Sequence, residues 1–148
     1  MLMKVLWAAR NSRFDLLRAT THLACYLVKW TQLQDKKLHK LLSYIQTTQH
    51  HRLVGWVGDK LDEIQPHLFA DADLAGDPLT QRSTSGAHLC LRGPHTSFPI
   101  AGLSQRQTCV SRSTPEAEMI ALSKALATHG LPGMILWQYL LPHNPTLF

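Results

Sequence analysis

The chain has 148 residues and a mass of 16.7 kDa, which allows one domain, or one small domain plus part of another. Hydrophobic residues make up 45%, enough for a buried core; a net charge of +5 with a pI near 9.4 makes a polyanion a plausible partner but says nothing about fold. The three cysteines, Cys25, Cys90 and Cys109, form no CxxC pair, which argues against a zinc site and for free buried thiols in a reducing compartment.

The start, MLMKVLWAAR, is apolar but too short to span a bilayer, and it carries no clear signal-peptide cleavage site. The expectation is a soluble, intracellular chain with no membrane partner. Up to about Gly58 the pattern is helical. Leu16, Leu17, Thr20, Leu23, Leu27 and Trp30 recur at three- and four-residue steps. A second helix is predicted over Asp35 to Thr48, with Leu38, Leu41, Leu42 and Ile45 as its apolar stripe. Leu53 to Val57 reads as a short strand. Residues 1–58 thus form one helical segment.

Asp59 to Pro66 is polar and ends in proline, so 59–66 reads as a linker. Residues 67–148 then turn to β. His67 to Asp71 and Thr84 to Leu91 are predicted strands, Arg92 to His95 a turn, and Ser97 to Gly102 a third strand. That strand is expected to continue towards Val110 after an irregularity at Ser104 to Gln107. The result is an antiparallel meander. Ser113-Thr-Pro-Glu116 then fits a capping box, and Thr114 as N-cap with Pro115 at the first helical position fits almost as well. The helix runs through Ile120, Ala121, Ala125 and Leu126, and Gly130 and Pro132 are expected to end it. A further helix is expected over Leu131 to Leu141, stopped by Pro142 and Pro145.

The acids carry the chemistry. Only ten occur, three of them in FADADLAGD (Phe69 to Asp77) and two in Pro115-Glu-Ala-Glu118; none follows Glu118. Gly76, Asp77 and Pro78 are turn residues, so Asp77 reads as turn chemistry, and Asp73 fits the same reading. A strand carboxylate facing a helix carboxylate would suit a hard cation. Magnesium takes oxygen ligands and commonly uses one or two protein carboxylates beside water and phosphate. Residue spacing leaves this open against solvated acids with no role.

In order, FADADLAGD, Gln81-Arg-Ser-Thr-Ser-Gly86 and Ser113-Thr-Pro-Glu-Ala-Glu-Met-Ile-Ala-Leu122 resemble the ribonuclease H domain of copia-type retrotransposon Pol polyproteins. That family shows SDADWAGD, a basic residue before STSG, and STxEAEYIAL. Upstream, Ala8 to Asp15 is similar to its segment around RPD, and His39 to Thr47 to its helix ending in RYLKGT. The resemblance covers nearly the whole chain. It implies an α/β, ribonuclease H-like domain that is incomplete here, preceded by an α-helical connection segment from the end of the reverse transcriptase. It also implies magnesium-dependent cleavage of RNA in RNA–DNA hybrids, with Asp71 and Glu118 as catalytic metal ligands. Their two magnesium ions would activate water and offset transition-state charge. Asp73 and Glu116 are companions in the motifs.

Several departures are packing changes: Leu74 stands for Trp, Met119 for Tyr and Phe14 for the Pro of RPD. A larger one is that the family's third and fourth carboxylates have no counterpart. The last two strands, which run beside the first, are missing too. The expectation is a fragment of a longer polyprotein, or a decayed copy, inactive by itself. Its implied partners are an RNA–DNA hybrid or other nucleic acid and the remainder of the Pol polyprotein.

Lys36, Lys37, Lys40 and Arg52 are candidates for tracking a phosphate backbone, against the simpler reading of a solvated helix face. Arg82 would touch a phosphate or merely cap a strand. Trp7, Trp30, Trp56 and Trp137 sit in apolar patterns and read as core. The alternatives to an enzyme fragment are a non-catalytic nucleic-acid-binding or structural remnant, and an ordinary α/β scaffold with incidental acids.

Overall fold

The computed structural model describes residues 1–140. The chain divides into two compact units, Met1–Leu53 and a second beginning at Val54.

The first unit holds three helices: α1 (Leu2–Asn11), α2 (Leu17–Ala24) and α3 (Gln32–Thr47), with 3-10 turns at Phe14–Leu16 and Leu27–Lys29 between them. Its core is Leu2, Ala9, Leu16, Leu17, Leu23 and Leu41, with Phe14, Trp30, Leu38 and Ile45 packed against it. Helix α3 starts earlier than the expected Asp35, because Thr31 builds a complete capping box with Gln34. Asp35 instead accepts a hydrogen bond from Trp30 Nε1 at 2.8 Å. A polar knot ties α3 to the start of the unit. Arg13 grips the Asp15 carboxylate at 2.8 Å and donates to the Thr48 carbonyl and hydroxyl, while the Tyr44 hydroxyl donates to Asp15.

The second unit is mixed α and β. Strands β1 (Gln65–Asp73), β2 (Thr84–Gly93) and β3 (Thr96–Arg106) form an antiparallel sheet in the order β1-β2-β3. The meander is the one expected, with longer strands. The expected strand at Leu53 to Val57 shrinks to a single bridge between Trp56 and Ser97. The segment read as a linker is docked rather than free. Gly58 N and Asp59 N donate to Thr96 Oγ1, Asp59 accepts from His95 N at 2.8 Å, Leu61–Glu63 form a 3-10 turn, and β1 has begun by Gln65. A Cβ on Gly93 would strike the Asp59 carboxylate, so glycine allows this close approach. The irregularity in β3 falls earlier than predicted, as a register shift at Leu89/Cys90 on β2.

Helix α4 (Thr114–Ala125) crosses β1 and β2 on one sheet face, burying Ala117, Ala121 and Ala125. Small residues let helix and sheet backbones approach closely. Ser113 is the N-cap, accepting from Glu116 N. The box is displaced by one residue: Glu116 reaches back to Arg112 N, at 2.7 Å, rather than to Ser113 N.

Gly130 and Pro132 do not end the helix. Leu126–Gly130 widen into a π turn, in which Leu131 N reaches Leu126 O, and α5 (Leu131–Leu140) follows directly. A helical proline costs a hydrogen bond and clashes with the carbonyl four residues back. The wide turn spans that carbonyl, at Thr128. The continuous helix Thr114–Leu140 is long and apolar enough, by length and composition alone, to cross a bilayer, with a mean hydropathy of 1.2 in its most apolar window. Only 17% of that window is buried. Leu141, Pro142 and Pro145, expected at the helix end, lie outside the described residues.

Two residue classes depart from expectation. Trp137 is buried and Trp30 half-buried, but Trp7 and Trp56 are exposed at 71% and 57%. Cys90 alone is a buried thiol, since Cys25 and Cys109 are exposed. Burial pushes the Cys90 thiol pKa up, against a smaller downward pull from Arg92.

Candidate active site

The five acids of the two motifs divide by what they hold. Asp73, at the end of β1, accepts a short hydrogen bond from Thr84 N. Its carboxylate lies so close to Gly76 that no Cβ would fit there. Asp77 is buried. It pairs with Arg106 at 2.7 Å and accepts from Thr80 Oγ1 at 2.7 Å and Leu79 N at 3.2 Å. Together they shape the loop from Leu74 to Ser83, where Ala75 and Gln81 adopt positive φ. Asp77 is therefore turn chemistry, as its neighbours Gly76 and Pro78 suggested. Glu116 serves the helix start.

Asp71 and Glu118 hold nothing. Both are exposed, and neither carboxylate has a hydrogen-bond or ion-pair partner among the described residues. Their backbones are brought together by their neighbours: Ala72, Ala117 and Ala121 form one buried cluster. Asp71 is in register with Gly86, so no side chain stands opposite its carboxylate on β2. Strand alternation turns Asp71 to the sheet face that α4 does not cover, because Ala72 faces the helix. Asp71 and the helix that carries Glu118 therefore lie on opposite faces of β1, an edge strand that no other strand covers on its outer side among the described residues. Two unpaired carboxylates offer magnesium the oxygen donors it takes. No cluster of three or more His, Cys, Asp or Glu suited to a metal occurs among the described residues.

Gln107 is the residue that sequence reasoning missed. It is buried, and its side chain donates to Ser85 Oγ at 3.0 Å and to the Ala117 carbonyl at 2.9 Å, while Ser111 Oγ donates to it. Its backbone N donates to the Ser83 carbonyl. This one amide pins the first turn of α4, and hence Glu118, to the sheet. The only sequence signal was a glutamine at the end of a strand, which ordinarily marks a solvated position.

The candidate nucleic-acid contacts fall in different units. Lys36, Lys37, Lys40 and Arg52 are exposed in the first, with Lys37 Nζ 3.1 Å from His22 Nε2 and Arg52 folded onto the carbonyls of Gln49 and His51. Arg82 belongs to the second and is half-buried, its carbonyl bonded to Asp77 N. No protein-family model, curated protein or solved structure matches this chain.

Proposed function

We propose that the chain is a ribonuclease H-like segment of a copia-type retrotransposon Pol polyprotein, bearing part of a magnesium site and inactive by itself. One observation carries this reading: of five motif acids, the two that the resemblance marks as metal ligands are the two with no structural work. Exposed carboxylates are ordinarily just solvated; these two stand out because they are the motif acids left free for a cation or partner to use. The meander followed by a crossing helix agrees with the fold the resemblance implies, and an intracellular setting goes with it. The cation would polarise water and offset phosphate charge, and this chain's part would be to hold it.

Manganese, as a paramagnetic stand-in, tests the site. Backbone amides around Asp71 and Glu118 should broaden together, and Asp71→Asn should abolish the effect at both. Broadening at only one, or at neither, overturns the shared site. Hydrolysis of an RNA–DNA hybrid with magnesium should be undetectable. Robust cleavage that Asp71→Asn abolishes would refute the claim of an incomplete site.

The second reading, a non-catalytic nucleic-acid-binding remnant, draws on the exposed Lys36, Lys37, Lys40 and Arg52 of the first unit. It expects hybrid binding that weakens steeply with salt and survives Asp71→Asn.

A further inference from the structure

Strand β1 is an open edge of the sheet. It pairs with β2 without interruption from Gln65 to Asp73, and no strand lies on its outer side among the described residues. The opposite edge is interrupted: Trp56 bridges to Ser97 on β3, and a register shift breaks the β2–β3 ladder at Leu89/Cys90. An unpaired edge is a template for another strand unless proline, charge or a bulge blocks it. On β1 only Pro66, Asp71 and Asp73 are of the blocking kind.

The ladder fixes which main-chain groups face outward. Thr84, opposite Asp73, turns its N–H to β1, where the Asp73 carboxylate accepts it. The odd-numbered residues of β1 therefore point their main-chain groups at β2, and alternation turns those of Pro66, Leu68, Ala70 and Ala72 to the open edge. Pro66 agrees, because proline within a sheet stands where its missing N–H would face outward. Leu68, Ala70 and Ala72 thus offer N–H groups to a further strand, and all four residues offer carbonyls.

Side chains select that strand. Centring an antiparallel copy of β1 on Phe69 is the register in which all nine residues find a partner. Phe69 then meets Phe69 of the second copy, His67 meets Asp71, and Gln65 meets Asp73. No two acids face each other. Moving the centre to Asp71 would set two aspartates opposite one another, which destabilises a sheet, whereas aromatic pairs stabilise it. Leu68 and Ala70 exchange both main-chain bonds, and Ala72 donates to the carbonyl of Pro66, so proline costs only one bond on each strand. Phe69 is 47% exposed yet already held, with Arg92 5.4 Å over its ring and the His67 ring stacked at 6.3 Å. We propose that β1 is a dimerisation edge, through which two copies of this chain pair antiparallel about a two-fold axis at Phe69 and join their three-stranded sheets into one. The proposal rests on β1 alone, so the manganese experiment can fail without touching it.

Sedimentation of the full-length chain over a range of concentrations should show a species of twice the 16.7 kDa monomer mass. Ala70→Pro should abolish it: an outward N–H is lost and the ring obstructs a second strand, while the ladder to β2 keeps its bonds. Phe69→Cys, in a chain with Cys25→Ser and Cys109→Ser, reads the register. On the two-fold the paired Cα atoms stand about 4.5 Å apart, within disulfide reach, so mild oxidation should cross-link two copies. Asp73→Cys in the same background should not cross-link. Should Ala70→Pro fail to fold, the cysteine pair of variants decides. A chain that stays monomeric at the concentration of an NMR sample, a dimer that survives Ala70→Pro, or a Phe69→Cys chain that cross-links no better than Asp73→Cys would each overturn the proposal.

Discussion

Arg106 Nη1 lies 2.7 Å from Asp77 Oδ2, joining the last residue of β3 to the loop that follows β1. The aspartate is nearly fully buried and holds two further donors, Leu79 N and Thr80 Oγ1. Asp77→Ala would strand all three. Breaking a buried pair in this way costs about 3 kcal/mol. Denaturant unfolding of the second unit should show a loss of that size, with the slope unchanged.

Asp71→Asn and Glu118→Gln should behave in the opposite way. With no partners to lose, each should alter stability by less than about 0.5 kcal/mol. The same unfolding measurement applied to all three variants separates the structural acid from the two candidate ligands. A loss above 1 kcal/mol for Asp71→Asn would mean that the carboxylate supports the fold.

Asp73 and Gly76 form a coupled pair. Gly76→Ala would drive a Cβ into the Asp73 carboxylate and displace it from Thr84 N. The single substitution should cost about 1–2 kcal/mol, the usual range for an overpacked contact. In an Asp73→Ala background much of that cost should vanish, because the obstacle is gone. A double-mutant cycle should show a coupling of at least about 0.5 kcal/mol, and strict additivity would refute the contact.

The first unit carries a pH-sensitive knot. The hydrogen bond from Arg13 holds the Asp15 carboxyl below its usual pKa against an opposing cost of burial, and the Tyr44 hydroxyl adds to the lowering. A depressed folded pKa means that the contribution is complete above the unfolded value, near 4, and disappears as pH falls through the folded value. Asp15→Asn should therefore flatten the acid limb of stability of the first unit. The variant should be less stable than the wild-type chain above about pH 4, with the gap closing as pH falls below it, and amide exchange of α3 residues near Tyr44 would report it.

Local chemistry legible in the sequence reached far. Apolar, β-branched bias and turn residues marked the meander, Ser113 marked the start of α4, and Gly76 and Pro78 marked Asp77 as a turn acid. These features depend on neighbours a few residues away, so the order of residues determined them. Most of the misreadings involve partners distant in sequence, and one, at Pro132, is local. Pro132 reads as a helix stop until the π turn accommodates it. Asp59 reads as part of a linker until His95 and Thr96 dock it. Gln107 reads as a strand end until it is found bonded to Ser85 and Ala117.

The candidate site shows the same division. Residue order alone named Asp71 and Glu118 through their motifs, but it could not distinguish a carboxylate with a job from one without. Only the tertiary structure did that, because hydrogen-bond satisfaction is a property of what surrounds a group in space. It sets Ala72 against Ala117, leaves the two acids exposed, and gives Asp73, Asp77 and Glu116 to the backbone and to Arg106.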